Sequence, residues 1–209
     1  NKMIYHAYAG HNPKQPLESF EYEPPMLGEH DVEIKISHCG ICHSDIHILD
    51  GDWGDNFPYV AGHEIIGIIT QKGHLVTHLE IGQRVGVGWQ SGSCMNCEWC
   101  MRGETNVCPH AVATCQDRYG GFADYIRTDS RYTFPIPETL SSENAAPLLC
   151  AGITVYSPLA TFGVRPSDRV GVIGIGGLGH LGLKKKKKMG CEVTAFSTSP
   201  NKEAETKSF

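Results

Sequence analysis

Cys94, Cys97, Cys100 and Cys108 fall in one short stretch with the pattern C-x2-C-x2-C-x7-C. Thiolates at that spacing suit a single tetrahedral Zn2+, closed to solvent and substrate. The residues between them, Met95-Asn96 and Glu98-Trp99 among them, cannot build a hydrophobic core, so a metal would supply the local folding energy. Unrelated thiols, a disulfide pair and an iron–sulfur cluster are the competing readings. A second set of ligand types is spread along the chain: Cys42 in Gly40-Ile41-Cys42-His43-Ser44-Asp45-Ile46-His47, His63 in Gly62-His63-Glu64, and Cys150 in Leu149-Cys150-Ala151-Gly152. Cysteine, histidine and cysteine from distant segments are the ligands of a catalytic zinc, with the fourth position open to water or substrate. Each piece is weak alone, and a buried cysteine is more often core than ligand.

A third feature concerns phosphate. Gly174-Ile175-Gly176-Gly177-Leu178-Gly179 contains G-x-G-x-x-G directly after an apolar run, the context in which this pattern binds a dinucleotide. Gly174 would permit the tight turn, Gly176 close approach of the pyrophosphate, and Gly179 close packing of helix on sheet. Free N–H groups at the helix start would meet the phosphates. An NAD site would carry an acid at the end of the next strand, for the ribose hydroxyls. Here that place holds Phe196-Ser197-Thr198-Ser199, with Lys202 just beyond. Hydroxyls and a lysine suit a 2′-phosphate, so the expected cofactor is NADP(H). The bland alternatives are a glycine-rich turn without ligand and a surface loop.

The elements that must position these groups divide the chain. Residues 1–149 read as short strands between Gly and Pro turns: Val32–Ile36 alternates apolar and polar, Ile65–Thr70 is β-branched, and Arg84–Val87 is a further short strand. That texture suggests an all-β, barrel-like domain carrying the cysteine lobe at about 90–110. From 150 it changes to a helix over 150–163, a strand over Asp168–Gly174, a helix after the glycines, and a strand over Cys191–Phe196. This is the opening βαβ unit of a parallel sheet, and its few strands imply that residues 150–209 are an incomplete domain.

With GICHSD, GHE, the four-cysteine lobe, APLLCAG and GIGGLG in this order, the chain resembles zinc-dependent medium-chain alcohol dehydrogenases along essentially its whole length. The stretches HCGICHSDIH and APLLCAGITVYSPL look most like the cinnamyl-alcohol-dehydrogenase and aldehyde-reductase branch. The resemblance implies an α/β plus β fold: a GroES-like β-barrel catalytic domain, then the truncated start of a Rossmann doubly wound sheet. It implies two zinc ions, one structural on the cysteine lobe and one catalytic on Cys42, His63 and Cys150. Glu64 would be a nearby or transient ligand, and Asp45 would orient the His63 ring. Ser44 would bond the substrate oxygen, and His47 would end a proton relay. His43 would lie near the pyrophosphate, Thr154 near the nicotinamide and Trp53 in the substrate pocket. Gly177 and Leu178 fall within the implied cofactor loop. Cys39-x-x-Cys42 alone could be a redox pair or half of a zinc knuckle, and the resemblance makes Cys39 a buried bystander; Cys115 and Cys191 are left as ordinary core or surface thiols.

Composition excludes other classes. A net charge of -5 with a pI near 6.1 gives no footprint for nucleic acid. No apolar run is long enough for a membrane span, and Asn1 to Tyr5 lack a signal peptide's apolar stretch. Nine cysteines and eleven histidines in a chain read as cytosolic favour metal over disulfides, although His6, His11, His30, His74 and His78 read as scattered surface groups. The expectation is an NADP(H)-dependent aldehyde reductase acting on a small alcohol or aldehyde, a homodimer at full length. The rivals are a zinc-binding remnant inactive through truncation, an NAD-dependent polyol dehydrogenase, and a zinc-free quinone-reductase relative. Lys184–Lys188 conflicts with an amphipathic helix. It implies a distorted or partly exposed helix there, or residues that are not the true ones.

Overall fold

The computed structural model describes residues 3–209; Asn1 and Lys2, part of the Asn1 to Tyr5 stretch read above, lie outside the described residues. The chain divides into two compact units, Asn1–Leu149 and Cys150–Phe209.

The first unit opens with β1 (Tyr5–Ala9) and β2 (Glu18–Tyr22), an antiparallel pair. Then come β3 (Asp31–Gly40), α1 (His43–Leu49), β4 (Glu64–Lys72), β5 (Arg84–Val87) and β6 (Gln90–Gly92). The short helix α2 (Glu98–Met101), β7 (Val112–Ala113), β8 (Tyr125–Asp129), β9 (Thr133–Pro135) and α3 (Ser142–Ala145) complete it. A five-stranded antiparallel sheet, in the order β8-β3-β4-β5-β9, is its frame. Val32, Ile34, Ile65, Ile69, Val85, Val87 and Ile126 bury one continuous core with Val76 and Leu79.

Strand β3 departs from simple alternation. Val32, Glu33 and Ile34 are all buried, and a register shift falls between Glu33 and Ile34. A bulge lets neighbouring side chains turn inward on both faces. The Glu33 carboxylate is then met by donors: the Tyr5 hydroxyl at 2.7 Å, Thr70 and Gln71 at 2.9 Å, and Arg127 Nε at 2.8 Å. Burial favours the neutral acid, but those donors win and hold the carboxyl below its ordinary range. The same burial, with Glu33 beside it, pushes the Tyr5 phenol upward.

The second unit contains α4 (Ala151–Thr161), β10 (Arg169–Ile173), α5 (Gly177–Lys188), β11 (Glu192–Phe196) and α6 (Glu203–Ser208). Strands β10 and β11 pair in parallel, joined through α5, with Val172, Ile175 and Leu183 buried between helix and strands. The lysine run does not distort α5, which stays helical through Lys188. The expected burden of buried ammonium groups is relieved by direction. Lys184, Lys187 and Lys188 are exposed, Lys184 lies over the Phe209 ring and Lys185 over Tyr156, and Gly182 and Leu183 make the buried contact. No helix among the described residues is long and apolar enough to cross a membrane.

Candidate active site

The cysteine lobe is a loop around sulfur. Between Cys94 and Val107 no residue is buried; only Cys108 is. The four Sγ atoms nevertheless lie within 4.8 Å of one another. Cys94 stands 3.9 Å from Cys100 and 3.6 Å from Cys108. A Zn–S bond of about 2.3 Å puts the sulfurs of a tetrahedron about 3.8 Å apart, so the thiols already mark out the edges of one. The backbone N–H of Asn96 and the neighbouring thiols lower the Cys94 thiol to about 6, and Ser93, whose Oγ is 3.2 Å from Cys100, lowers Cys100. Burial and the same neighbouring thiols push Cys97 up to about 11, so it is at Cys94 and Cys100 that the metal-binding thiolate is favoured.

The second cluster is carried by the sheet. Cys42 is the N-cap of α1, and Glu64, following His63, begins β4. Asp45 ties the two segments together: Oδ2 accepts from the Cys42 backbone N–H at 2.9 Å, and Oδ1 accepts from the Gly62 N–H at 2.8 Å. Its Oδ1 also meets His63 Nδ1 at 3.1 Å, with both side chains buried. A carboxylate can only accept, so Nδ1 carries the proton and Nε2 is the nitrogen suited to a metal. Trp89 packs edge-on against the imidazole, ring centres 5.0 Å apart. The donor atoms of Cys42, His63 and Glu64 lie within 4.8 Å of one another. Burial raises the Glu64 carboxyl, partly opposed by His63.

Glycines make this approach possible. Gly62 has φ +97°, and a Cβ there would come within 2.8 Å of the Cys39 Sγ and the Phe122 backbone nitrogen. Gly40, paired with Glu64 across the sheet, leaves the space in which the Glu64 carboxylate sits.

Around the cluster, α1 lines up further polar groups. His47 Nδ1 is 2.8 Å from Asp52 Oδ2, its ring stacks on Trp53 at 5.1 Å, and His43 lies 4.9 Å away. Ser44 sits half-buried in the first turn of the same helix. Asp52 was missed from the sequence, because nothing in Asp50-Gly51-Asp52 tells which acid folds back five residues. Cys115, expected as an ordinary core or surface thiol, is a core one: it is fully buried, 3.5 Å from His63 Nδ1 and 3.9 Å from Asp45 Oδ1. Burial raises its thiol, and burial likewise raises Cys39, half-buried beside Gly62, to about 12.

Cys150 opens the second unit as the N-cap of α4, on which Thr154 is exposed. It is bonded to Leu149, whose carbonyl oxygen lies 2.7 Å from where a Cβ on Gly88 would stand, next to Trp89. Within this unit Gly174 takes φ +83° at the strand end, and Gly179 sits so close to the Gly174 carbonyl that a Cβ would strike it. Gly176 and Gly177 would meet no protein atom within 4 Å, so protein packing does not explain them. Lys202 donates to the Ile175 carbonyl at 2.9 Å, linking the segment after β11 to the glycine loop. Ser197, Ser199 and Lys202 line a cavity of about 760 Å³, whereas Gly174, Leu178 and Gly179 line another of about 270 Å³.

Residues 28–138 match the family described as alcohol dehydrogenase GroES-like domain. The chain therefore belongs to the medium-chain alcohol dehydrogenases that carry this domain. Within them it is similar to the aldehyde reductase AdhA of Synechocystis sp., 44% identical over 200 residues, covering 95% of this chain and 60% of that protein. The 8-hydroxygeraniol dehydrogenase of Catharanthus roseus is 44% identical over 198 residues, with 90% and 55% covered. Among solved structures, a cinnamyl alcohol dehydrogenase from Sorghum bicolor aligns with a TM-score of 0.93 at 39% identity, covering 97% of this chain and 61% of that one. The Helicobacter pylori protein described as a CAD complexed with NADP(H) aligns at 0.94 and 35% identity, covering 100% and 63%. The chain thus spans 55% and 60% of the length of these two curated relatives.

Proposed function

We propose that this chain is part of a zinc-dependent oxidoreductase that interconverts primary alcohols and aldehydes with NADP(H), working mainly as an aldehyde reductase. The donor set carries this reading: a cysteine thiol, an imidazole and a carboxyl gathered within 4.8 Å, with Asp45 fixing the ring from behind. Cys42 and His63 would hold the catalytic zinc, Cys150 would complete the set from the start of α4, and Glu64 would stand by as an alternative ligand. Cys94, Cys97, Cys100 and Cys108 would hold a structural zinc. When bound, the catalytic zinc supplies Lewis acidity toward a substrate oxygen, and the nicotinamide supplies the hydride.

The chain's own residues supply position and proton traffic. Ser44 would hydrogen-bond the substrate oxygen. His47, held by Asp52 at 2.8 Å and half-exposed, would pass a proton between solvent and the site. Trp53 would form one wall of the substrate pocket, and His43 would lie near the pyrophosphate. The loop from Gly174 to Gly179 leaves Gly176 and Gly177 open for close approach of the pyrophosphate. Ser197, Thr198, Ser199 and Lys202, with no acid at the end of β11, favour a 2′-phosphate.

The test is metal content by atomic emission, together with aldehyde reduction by NADPH and NADH. Two zinc ions per chain and a preference for NADPH are expected. A single zinc, or faster turnover with NADH, would overturn the corresponding part of the reading.

A further inference from the structure

From the packing behind His63 we infer that Cys115 is a positioning residue that moderates the Asp45–His63 hydrogen bond and so sets how strongly His63 donates to a metal. This rests on the reading of Cys42 and His63 as ligands. Cys115 lies in none of the motifs that mark the site, and its role is visible only in space. Its Sγ is 3.5 Å from His63 Nδ1 and 3.9 Å from Asp45 Oδ1, so the thiol touches both ends of one 3.1 Å hydrogen bond. The site is closed to solvent: Asp45, His63 and Cys115 are all buried, with Ile48, Tyr59 and Trp89 packed around the thiol. Gly120 lets the backbone pass close to this side chain, since a Cβ there would lie 2.6 Å from the Cys115 Cβ.

These three donors do not make a metal site of their own. Both Asp45 oxygens already accept backbone N–H groups, from Cys42 and Gly62, and His63 Nδ1 faces that carboxylate with its proton. What the thiol can do is compete. Its S–H donates to Oδ1, and its sulfur takes a share of the Nδ1–H. Both contacts draw strength from the Asp45–His63 bond. Groups behind a metal-bound histidine raise its basicity, and a competitor there lowers it, leaving the metal a stronger Lewis acid.

The experiment is cobalt substitution in the full chain, comparing Cys115→Ser, Cys115→Ala and Cys115→Val with the unaltered protein. His63→Ala, which keeps only the lobe's cobalt, supplies the difference spectrum. The lobe's sulfur-to-cobalt bands report that each variant is folded. Alanine and valine should shift the d–d bands at the second site in the same direction and slow cobalt release to a chelator roughly tenfold, within the range of other outer-shell changes. Serine, which keeps a donor, should stay near the unaltered protein. If valine matches the unaltered protein while serine does not, or if alanine and valine release cobalt faster, the role is packing and the inference fails alone. If His63→Ala leaves cobalt uptake unchanged, the ligand reading fails and takes this inference with it.

Discussion

The two metal-ligand clusters of the first unit are built in opposite ways. In the lobe, all the donors come from residues 94–108, and almost nothing there is buried. At the other cluster, Cys42 and His63 stand on elements fixed by a five-stranded sheet, and Asp45 joins them through backbone N–H groups. In the first a metal would make the structure; in the second the structure makes a place that a metal would fill.

The sharpest way to break this contrast is to remove metal from the lobe. Structural zinc contributes about 10–16 kcal/mol to the folding of small zinc peptides near neutral pH. Cys100→Ala should therefore make the segment from Met95 to Val107 the first site of limited proteolysis, with Trp99 and Arg102 exposed. A lobe that stays resistant would mean that packing holds it. His63→Ala should lose one zinc per chain yet leave that segment resistant.

Next comes the sheet that carries the second cluster. Glu33 is 1% exposed and Arg127 12%, their charges 2.8 Å apart. Removing one partner of a buried ion pair costs about 3–5 kcal/mol. Arg127→Ala should lower the denaturation midpoint and loosen the second cluster, and an unchanged midpoint would separate the pair from stability. The pH dependence has a definite sign. The folded carboxyl of Glu33 is depressed, so its stabilisation is present above the ordinary glutamate range and disappears as pH falls through that range and below. Denaturation followed down the acid limb should show this loss, and Glu33→Gln should flatten it.

A smaller effect is expected at Asp45. Asp45→Asn should weaken zinc at the second cluster by about 10- to 100-fold while the lobe keeps its metal, as competition with a chelator would show. The least is expected of the exposed Lys207–Glu203 pair in the second unit, where Lys207→Ala should leave the denaturation midpoint unchanged.

How far the sequence could be read follows the same division. The lobe was legible because its ligands are local and their spacing is itself the signal. Strands β3, β4 and β5, the change of texture near 150 and the glycine loop were legible because period and turn chemistry are local too. Glu33 was not: the alternation of Val32–Ile36 points it to solvent, and only the bulge and the arrival of Tyr5 and Arg127 turn it inward. Asp52 and Cys115 were invisible for a related reason. Their partners are set by how loops fold back, which no spacing encodes. The lysine run misled in the other direction, since a pattern count cannot foresee ammonium groups lying over Phe209 and Tyr156.

The pairing of β3 with β8 bears on how quickly the chain can fold. Glu33 and Arg127 are 94 residues apart, and the lobe lies within that span. The entropy of closing a loop grows with the chain that must be gathered, and distant pairings slow folding. Ordering residues 94–108 around a metal would draw in part of the intervening chain before the two strands meet. The lobe would then act on kinetics as well as on stability, with refolding from denaturant faster in the presence of zinc than in a chelator.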